Sequence, residues 1–170
     1  MTVADRVRLV PLDRSHLART REWANDPLLM RLMDRQHPVS AAEHDAWFTS
    51  VVHGDHCAYF AIETVADHLH VGNAWLWDID RRHRKAELRI VIGHEAARGQ
   101  GMGAEAIDRL CRHAFDRLGL HRIYAYVLSI NPAARCAFER AGFALEGTLR
   151  DDRWAAEGSV DAYLLARVHS

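Results

Sequence analysis

Residues 84–118 constrain the fold more than any other part of the chain. The run Arg84-Lys85-Ala86-Glu87-Leu88-Arg89-Ile90-Val91-Ile92 alternates with period two. Ala86, Leu88, Ile90 and Ile92 share one face of a strand, and Glu87, Arg89 and Val91 share the other. A glycine-rich segment, GHEAARGQGMG at 93–103, follows directly. The period then changes: Ile107, Leu110, Cys111, Ala114, Phe115 and Leu118 recur at helical spacing, and Gly119 stops the helix. A strand that feeds a helix in this way fits a crossover unit, in which the helix packs back over the sheet.

The flanking segments extend this layout. Val7–Leu12 predicts a first strand that Pro11 confines to an edge or a turn. Asp13 caps a helix expected to run to Trp23, and Asn25-Asp26-Pro27 interrupts it. Leu28–Met33 is short and apolar, open to either helix or strand. Ser40-Ala41-Ala42-Glu43 has capping-box spacing, and His44, Trp47, Phe48 and Val51 form one face of a helix near 41–53. Strands at 57–64, 69–80 and 84–92 are close enough for an antiparallel meander. A strand at 121–128 leads to a helix that Asn131 caps, with Pro132 in its first turn and Gly142 past its end. Two strands near 143–150 and 159–168 close the chain, with 151–158 as their turn. The order is β, α, α, βββ, α, β, α, ββ. It predicts an α+β fold with a mixed, mostly antiparallel sheet of about seven strands and about four helices, in a single domain spanning 1–170.

Composition narrows the functional classes. The chain has 170 residues, 22 Lys plus Arg against 23 Asp plus Glu, and a formal charge of −1. That balance gives no basic nucleic-acid footprint. Three separated cysteines, Cys57, Cys111 and Cys136, do not form a disulfide framework. No segment has the roughly 18 consecutive apolar residues of a membrane span, and the amino-terminal run MTVADRVRLV lacks an export signal. The expected setting is the cytoplasm. The 12 histidines are scattered, and His94-Glu95-Ala96-Ala97-Arg98 ends in arginine where a zinc motif needs histidine. No metal is expected.

The segment Arg98-Gly99-Gln100-Gly101-Met102-Gly103 carries the most specific chemistry. Glycines let the backbone approach an anion, and the free N–H groups at the following helix start can hold phosphate oxygens. It is not a Walker loop, which needs GxxxxGK[ST]. Nor is it the GxGxxG of an early βαβ unit.

Arg98-x-x-Gly101-x-Gly103 resembles the pyrophosphate loop of the GNAT N-acetyltransferase superfamily. Asn131, Ala134 and Gly142-Phe143 within VLSINPAARCAFERAGF resemble that family's downstream helix and its exit. Glu146-Gly147-Thr148-Leu149-Arg150 and Asp161 look like the branch of protein N-terminal acetyltransferases related to RimJ and RimL. Trp23-Ala24-Asn25-Asp26, Leu29–Met33 and Ser40–Phe48 look like amino-sugar nucleotide acetyltransferases, although Ala24 stands where that branch commonly has arginine.

The resemblance implies a V-shaped opening between strands four and five that holds acetyl-CoA as cosubstrate. The backbone of Arg98, Gly99, Gln100, Gly101, Met102 and Gly103 would cradle its pyrophosphate. The backbone of Ile90, Val91 and Ile92 would pair with the pantetheine arm, and Asn131 would bond that arm if its capping role uses a different atom. Transfer to an amine needs a base, a polarised carbonyl and a proton for the thiolate. Glu87 is the expected base, directly or through water. Many relatives place tyrosine where this chain has Phe138, so the acid falls among Tyr124, Tyr126, Ser129 and water. Trp23, Asn25, Met30, Arg31 and Trp47 are the expected acceptor contacts. The expected acceptor is a primary amine, an amino-sugar nucleotide ahead of a protein N-terminus. A binding module without transfer activity is the non-enzymatic alternative, and a homodimer is plausible from the resemblance.

Overall fold

The computed structural model describes residues 5–170; residues 1–4, which open the run read above for an export signal, lie outside the described residues. The strands are β1 (Val7–Pro11), β2 (Ala58–Thr64), β3 (His70–Asp80), β4 (Lys85–Ile92), β5 (Arg122–Leu128), β6 (Ala144–Ala155) and β7 (Gly158–Val168). The helices are α1 (Leu17–Ala24), α2 (Pro27–Leu32), α3 (Ala41–Val52), α4 (Met102–Asp116) and α5 (Pro132–Arg140). The strands form one sheet in the order β1-β2-β3-β4-β5-β7-β6. Only the β4–β5 pair is parallel. This is the mixed, mostly antiparallel architecture that the periodicities predict.

The apolar stripe of α4 fixes the centre of the molecule. Ile107, Leu110, Cys111 and Ala114 are fully buried among Ile62, Leu76, Leu88, Ile123 and Leu165 of the sheet. The Glu105 carboxylate of the same helix accepts from the backbone N–H groups of Arg6 (3.0 Å) and Val7 (3.1 Å), so α4 also anchors the edge strand β1.

Three element boundaries differ from the sequence expectation. The helix expected over 13–23 is a 3-10 turn at Arg14–His16 followed by α1, because His16 turns its Nδ1 back to accept from the Asp13 N–H at 3.1 Å. The ambiguous Leu28–Met33 stretch is helical: Asp26 accepts from the Leu29 N–H at 2.9 Å, and Pro27 suits the first turn. That makes five α-helices where about four were expected. Residues 151–158 are not a long turn. Asp151, at φ 52°, sits in an irregular stretch of pairing between Leu149 and Arg153, and β6 then continues to Ala155. The Asp161 carboxylate accepts from the Asp151 N–H, and Ser159 donates to the Asp151 carboxylate, which hold the irregularity in place.

Helix α3 begins as its sequence requires. Ser40 Oγ accepts from the Glu43 N–H at 3.2 Å, and Glu43 Oε2 accepts from the Ser40 N–H at 2.8 Å. Ser40→Ala removes one half of this box. It is expected to cost about 1 kcal/mol and to lower Tm by about 2–4 °C, read by thermal denaturation.

Candidate active site

The site starts where β4 and β5 separate. Their pairing consists of Lys85 with Arg122, Ala86 with Ile123 and Glu87 with Tyr124, and stops there. Beyond Glu87, β4 remains paired with β3 through Ile92, while β5 stays with β7 through Leu128. The sheet therefore opens into a V with Glu87 and Tyr124 at its apex. The β5-facing backbone of Leu88–Ile92 has no strand partner, which leaves polar groups for a ligand to satisfy.

Three cavities meet in this opening. The first, about 420 Å³, is lined by Ile90, Val91, Ile92, Arg98, Gly99, Gly101, Gly103, Asn131 and Ala134, with Arg140 at one wall. Gly99 and Gly101 have φ of 71° and 78°, a conformation natural to glycine, and Gly101 forms the amino-terminal cap of α4 without a side-chain bond. The first N–H groups of α4 are consequently free for an anion, and the glycine backbone can approach it. Arg98 does not simply project into this cavity. Its guanidinium donates to the carbonyls of Ile92 (2.9 Å) and Gly93 (2.8 Å), fastening the loop to the end of β4. Asn131 divides its functions by atom: Oδ1 accepts from the Ala134 N–H at 3.1 Å, and the amide nitrogen remains for the cavity. The unpaired strand edge, the glycine cradle and the helix start together fit the arm and pyrophosphate of acetyl-CoA.

The second cavity, about 380 Å³, brings together several of the expected proton-transfer residues. Glu87, Arg89, Ile90, Tyr126, Asn131, Ala134 and Phe138 line it. Glu87 is 8% exposed and forms a two-pronged pair with Arg89, at 2.7 Å from Nε and 3.1 Å from Nη2. Burial works against the Arg89 charge, but the Glu87 carboxylate outweighs it and holds the guanidinium above its ordinary value. A carboxylate has about four lone-pair sites, so the ion pair leaves acceptor capacity for water or substrate. Phe138 is buried against Phe143 with ring centroids 4.9 Å apart, an apolar wall without a proton to give. Tyr126 is the tyrosine among the lining residues. Tyr124 lies at the apex, its phenol pushed up by burial and by the nearby Glu87 charge. The Ser129 N–H donates to the Asp161 carbonyl, and Ser129 is outside the cavity lining.

The third cavity, about 160 Å³, lies under α1 and α3. Trp23, His44, Trp47, Tyr59 and Trp75 give it aromatic walls, with Glu43 and Arg35 also lining it. Met33 lines all three cavities, and Arg35 and Trp75 line this one and the second. Of the expected acceptor contacts, Trp23 and Trp47 come together here. Asn25 instead clamps Val39, accepting from its N–H at 2.7 Å and donating to its carbonyl at 3.0 Å. Arg31 pairs with Glu157 in the β6–β7 turn, and Met30 lies outside these three linings. Tyr59, Met33 and Arg35 were not legible as site residues, and Arg35 falls in a segment without periodicity. The alternation of Trp75 in β3 allows a substrate wall, with strand packing the simpler reading of it.

The family model described as "Acetyltransferase (GNAT) domain" matches residues 6–144. The chain belongs to the GNAT acetyltransferase family. A spermidine N(1)-acetyltransferase of Vibrio cholerae serotype O1 is 29% identical over 141 residues, covering 83% of this chain and 80% of that protein. The crystal structure of spermidine N-acetyltransferase from Vibrio cholerae in complex with CoA and spermine superposes with a TM-score of 0.88, at 26% identity, over 96% of this chain and 95% of that one. A dodecameric structure of the Vibrio cholerae enzyme in an intermediate state has a TM-score of 0.81 at 25% identity, over 96% and 94% of the two chains. These likenesses along nearly the whole chain correct the resemblance to the RimJ/RimL and amino-sugar nucleotide branches. The residues that suggested those branches have structural work in this fold: Asn25 clamps Val39, Ser40 and Glu43 start α3, and Glu146 pairs with Arg122.

The protein is an acetyl-CoA-dependent N-acetyltransferase that acts on a primary amine. Among the described residues, no group of three or more His, Cys, Asp or Glu could hold a metal ion. No helix among them is long and apolar enough to cross a membrane.

Gly93, just past the end of β4, packs against Trp23, which lines the aromatic cavity. A Cβ there would lie 2.0–2.4 Å from three atoms of the Trp23 indole. Gly93→Ala must push Trp23 off its seat, a small-to-large change expected to cost about 1–3 kcal/mol. The acceptor KM should rise while the acetyl-CoA KM changes little, measured by steady-state kinetics.

Proposed function

We propose that the chain acetylates a terminal amine of a small polyamine by direct transfer. The observation that carries this reading is the junction of cavities. The space beside Glu87 shares Met33, Arg35 and Trp75 with the aromatic-walled cavity, giving an extended acceptor room for both ends of a chain-like amine. The likeness to spermidine N-acetyltransferases supports it.

Acetyl-CoA supplies the acetyl thioester. Gly99 to Gly103 and the start of α4 hold its phosphates, and the free edge of β4 orients its arm. Glu87, fixed by Arg89, accepts the proton that an ammonium must lose before its lone pair can react, directly or through one water. As the amine nitrogen bonds the carbonyl carbon and the C–S bond breaks, Tyr126 protonates the departing thiolate and regains the second proton that the nitrogen loses, because Phe138 cannot and Tyr124 and Ser129 lie outside the cavity lining. The β4 backbone beside the opening orients the carbonyl. Ion pairing with Arg89 and proton acceptance use different lone pairs of Glu87, so the structural and catalytic roles coexist.

Self-association fits the carboxy-terminal hairpin. Edge strand β6 exposes Leu145, Leu149 and Trp154, the last at 76%, and the Vibrio cholerae relative is dodecameric. A homodimer is the smallest assembly that would cover such an edge.

Spermidine should release CoA thiol in step with a product one acetyl group heavier. Spermidine failing while other primary amines react would reject the polyamine reading and leave the transferase intact. Glu87→Gln should lower kcat by about 10²–10⁴-fold with the protein still folded, and near-normal turnover across pH would reject the base. Tyr126→Phe should lower kcat with little change in the acetyl-CoA KM, whereas Tyr124→Phe should not.

A further inference from the structure

His44 is the feature of the acceptor side that packing leaves unexplained. It is 5% exposed, lines the aromatic cavity, and its Nε2 has no hydrogen-bond partner. Buried polar atoms are normally paired, and an orphan of this kind is destabilising. Several neighbouring polar groups are engaged with one another. Thr20 Oγ1 donates to the His16 carbonyl and accepts from Asn73 Nδ2, and Asn73 Oδ1 bonds His70 Nε2. Glu43 Oε2 accepts from the Ser40 N–H.

The walls specify the sign of the missing partner. The rings of His44 and Trp47 lie 4.9 Å apart, those of Trp47 and Tyr59 5.2 Å, and Tyr59 stacks on Trp75 at 4.7 Å. Aromatic faces are electronegative and attract cations. The charged groups around His44 are Arg21 of α1, Glu43 and Asp45 of α3, and Arg35 after α2. Burial, then the Arg21 charge, hold the imidazole below its ordinary 6.5, so the ring is neutral at neutral pH. In the tautomer with its hydrogen on Nδ1, Nε2 is an acceptor without a donor. An anion would meet Arg35 in the lining and Arg21 nearby, but also the Glu43 carboxylate and electronegative ring surfaces.

We propose that this cavity is the subsite for the non-reacting terminal ammonium of the acceptor, which donates to His44 Nε2 among Trp47, Tyr59 and Trp75. The proposal rests on the polyamine reading and deepens it: His44 measures the far end of the substrate while Glu87 serves the near end. His44 is thus a specificity residue, separate from the proton-transfer groups.

The test compares spermidine with an analogue in which the non-reacting terminal amine is replaced by a methyl group. Wild-type enzyme should favour spermidine through KM. His44→Phe should raise the spermidine KM about tenfold, the equivalent of one such contact, and change the analogue KM much less; circular dichroism and thermal denaturation show that the variant folds. His44→Gln, which keeps an acceptor, should recover part of the loss. Equal effects of His44→Phe on both substrates, or none on either, would overturn the subsite. If that variant fails to fold, the wild-type comparison decides, since equal KM values for the two substrates also overturn it. Transfer to neither substrate, with transfer to other amines, is the distinct result that removes the polyamine reading itself.

Discussion

Everything this protein does depends on a strand pair that is not completed. Parallel pairing of β4 with β5 ends at Glu87 and Tyr124. If it continued, the backbone of Leu88–Ile92 would be consumed by the sheet and the cofactor would have no edge to join. The opening persists because each strand keeps its other neighbour. β3 holds β4 to Ile92, and β7 holds β5 to Leu128. The cost of the open edge is offset by the buried helix α4 beneath it and by Arg98, whose guanidinium bridges two carbonyls at the end of β4.

The same opening distributes the chemistry. Its apex carries Glu87, buried and fixed by Arg89, which holds the proposed base in one place. One wall presents the glycine loop and the start of α4 to phosphates, and the other leads past Met33 to a cavity built from aromatic rings. Nothing in this layout needs a covalent enzyme intermediate. Cys136 lines the cofactor cavity, but the surroundings give it no base.

The half of the site made from consecutive residues was legible in the sequence. Period two placed Glu87 opposite Ala86 and Leu88, the glycine run announced the start of α4, and the Asn131-Pro132 cap located α5. The acceptor half was not. Its walls come from α1, the residues after α2, α3, β2, β3 and β4, and no local pattern says that Tyr59 and Trp75 will stack or that Met33 will touch three cavities. Asn25 and Arg31 illustrate the converse. Polar residues in a suggestive segment were expected to meet substrate, and the fold uses them to clamp Val39 and to reach Glu157. The long β6 was hidden because an Asp-Asp pair reads as a turn, while one residue at positive φ lets the strand pass through it. The branch-level resemblance rested in part on residues whose work is local structure, Asn25, Ser40, Glu43 and Glu146.

The most direct test of this account is amide hydrogen exchange of the wild-type protein with and without acetyl-CoA. If the open edge of β4 is the cofactor's partner, amides within residues 88–92 and at 99–104 should become protected on binding, while those of β1 and β2 should not change. Acetyl-CoA binding that leaves both segments as exchangeable as before would show that the cofactor lies elsewhere, and would contradict the role assigned to the opening.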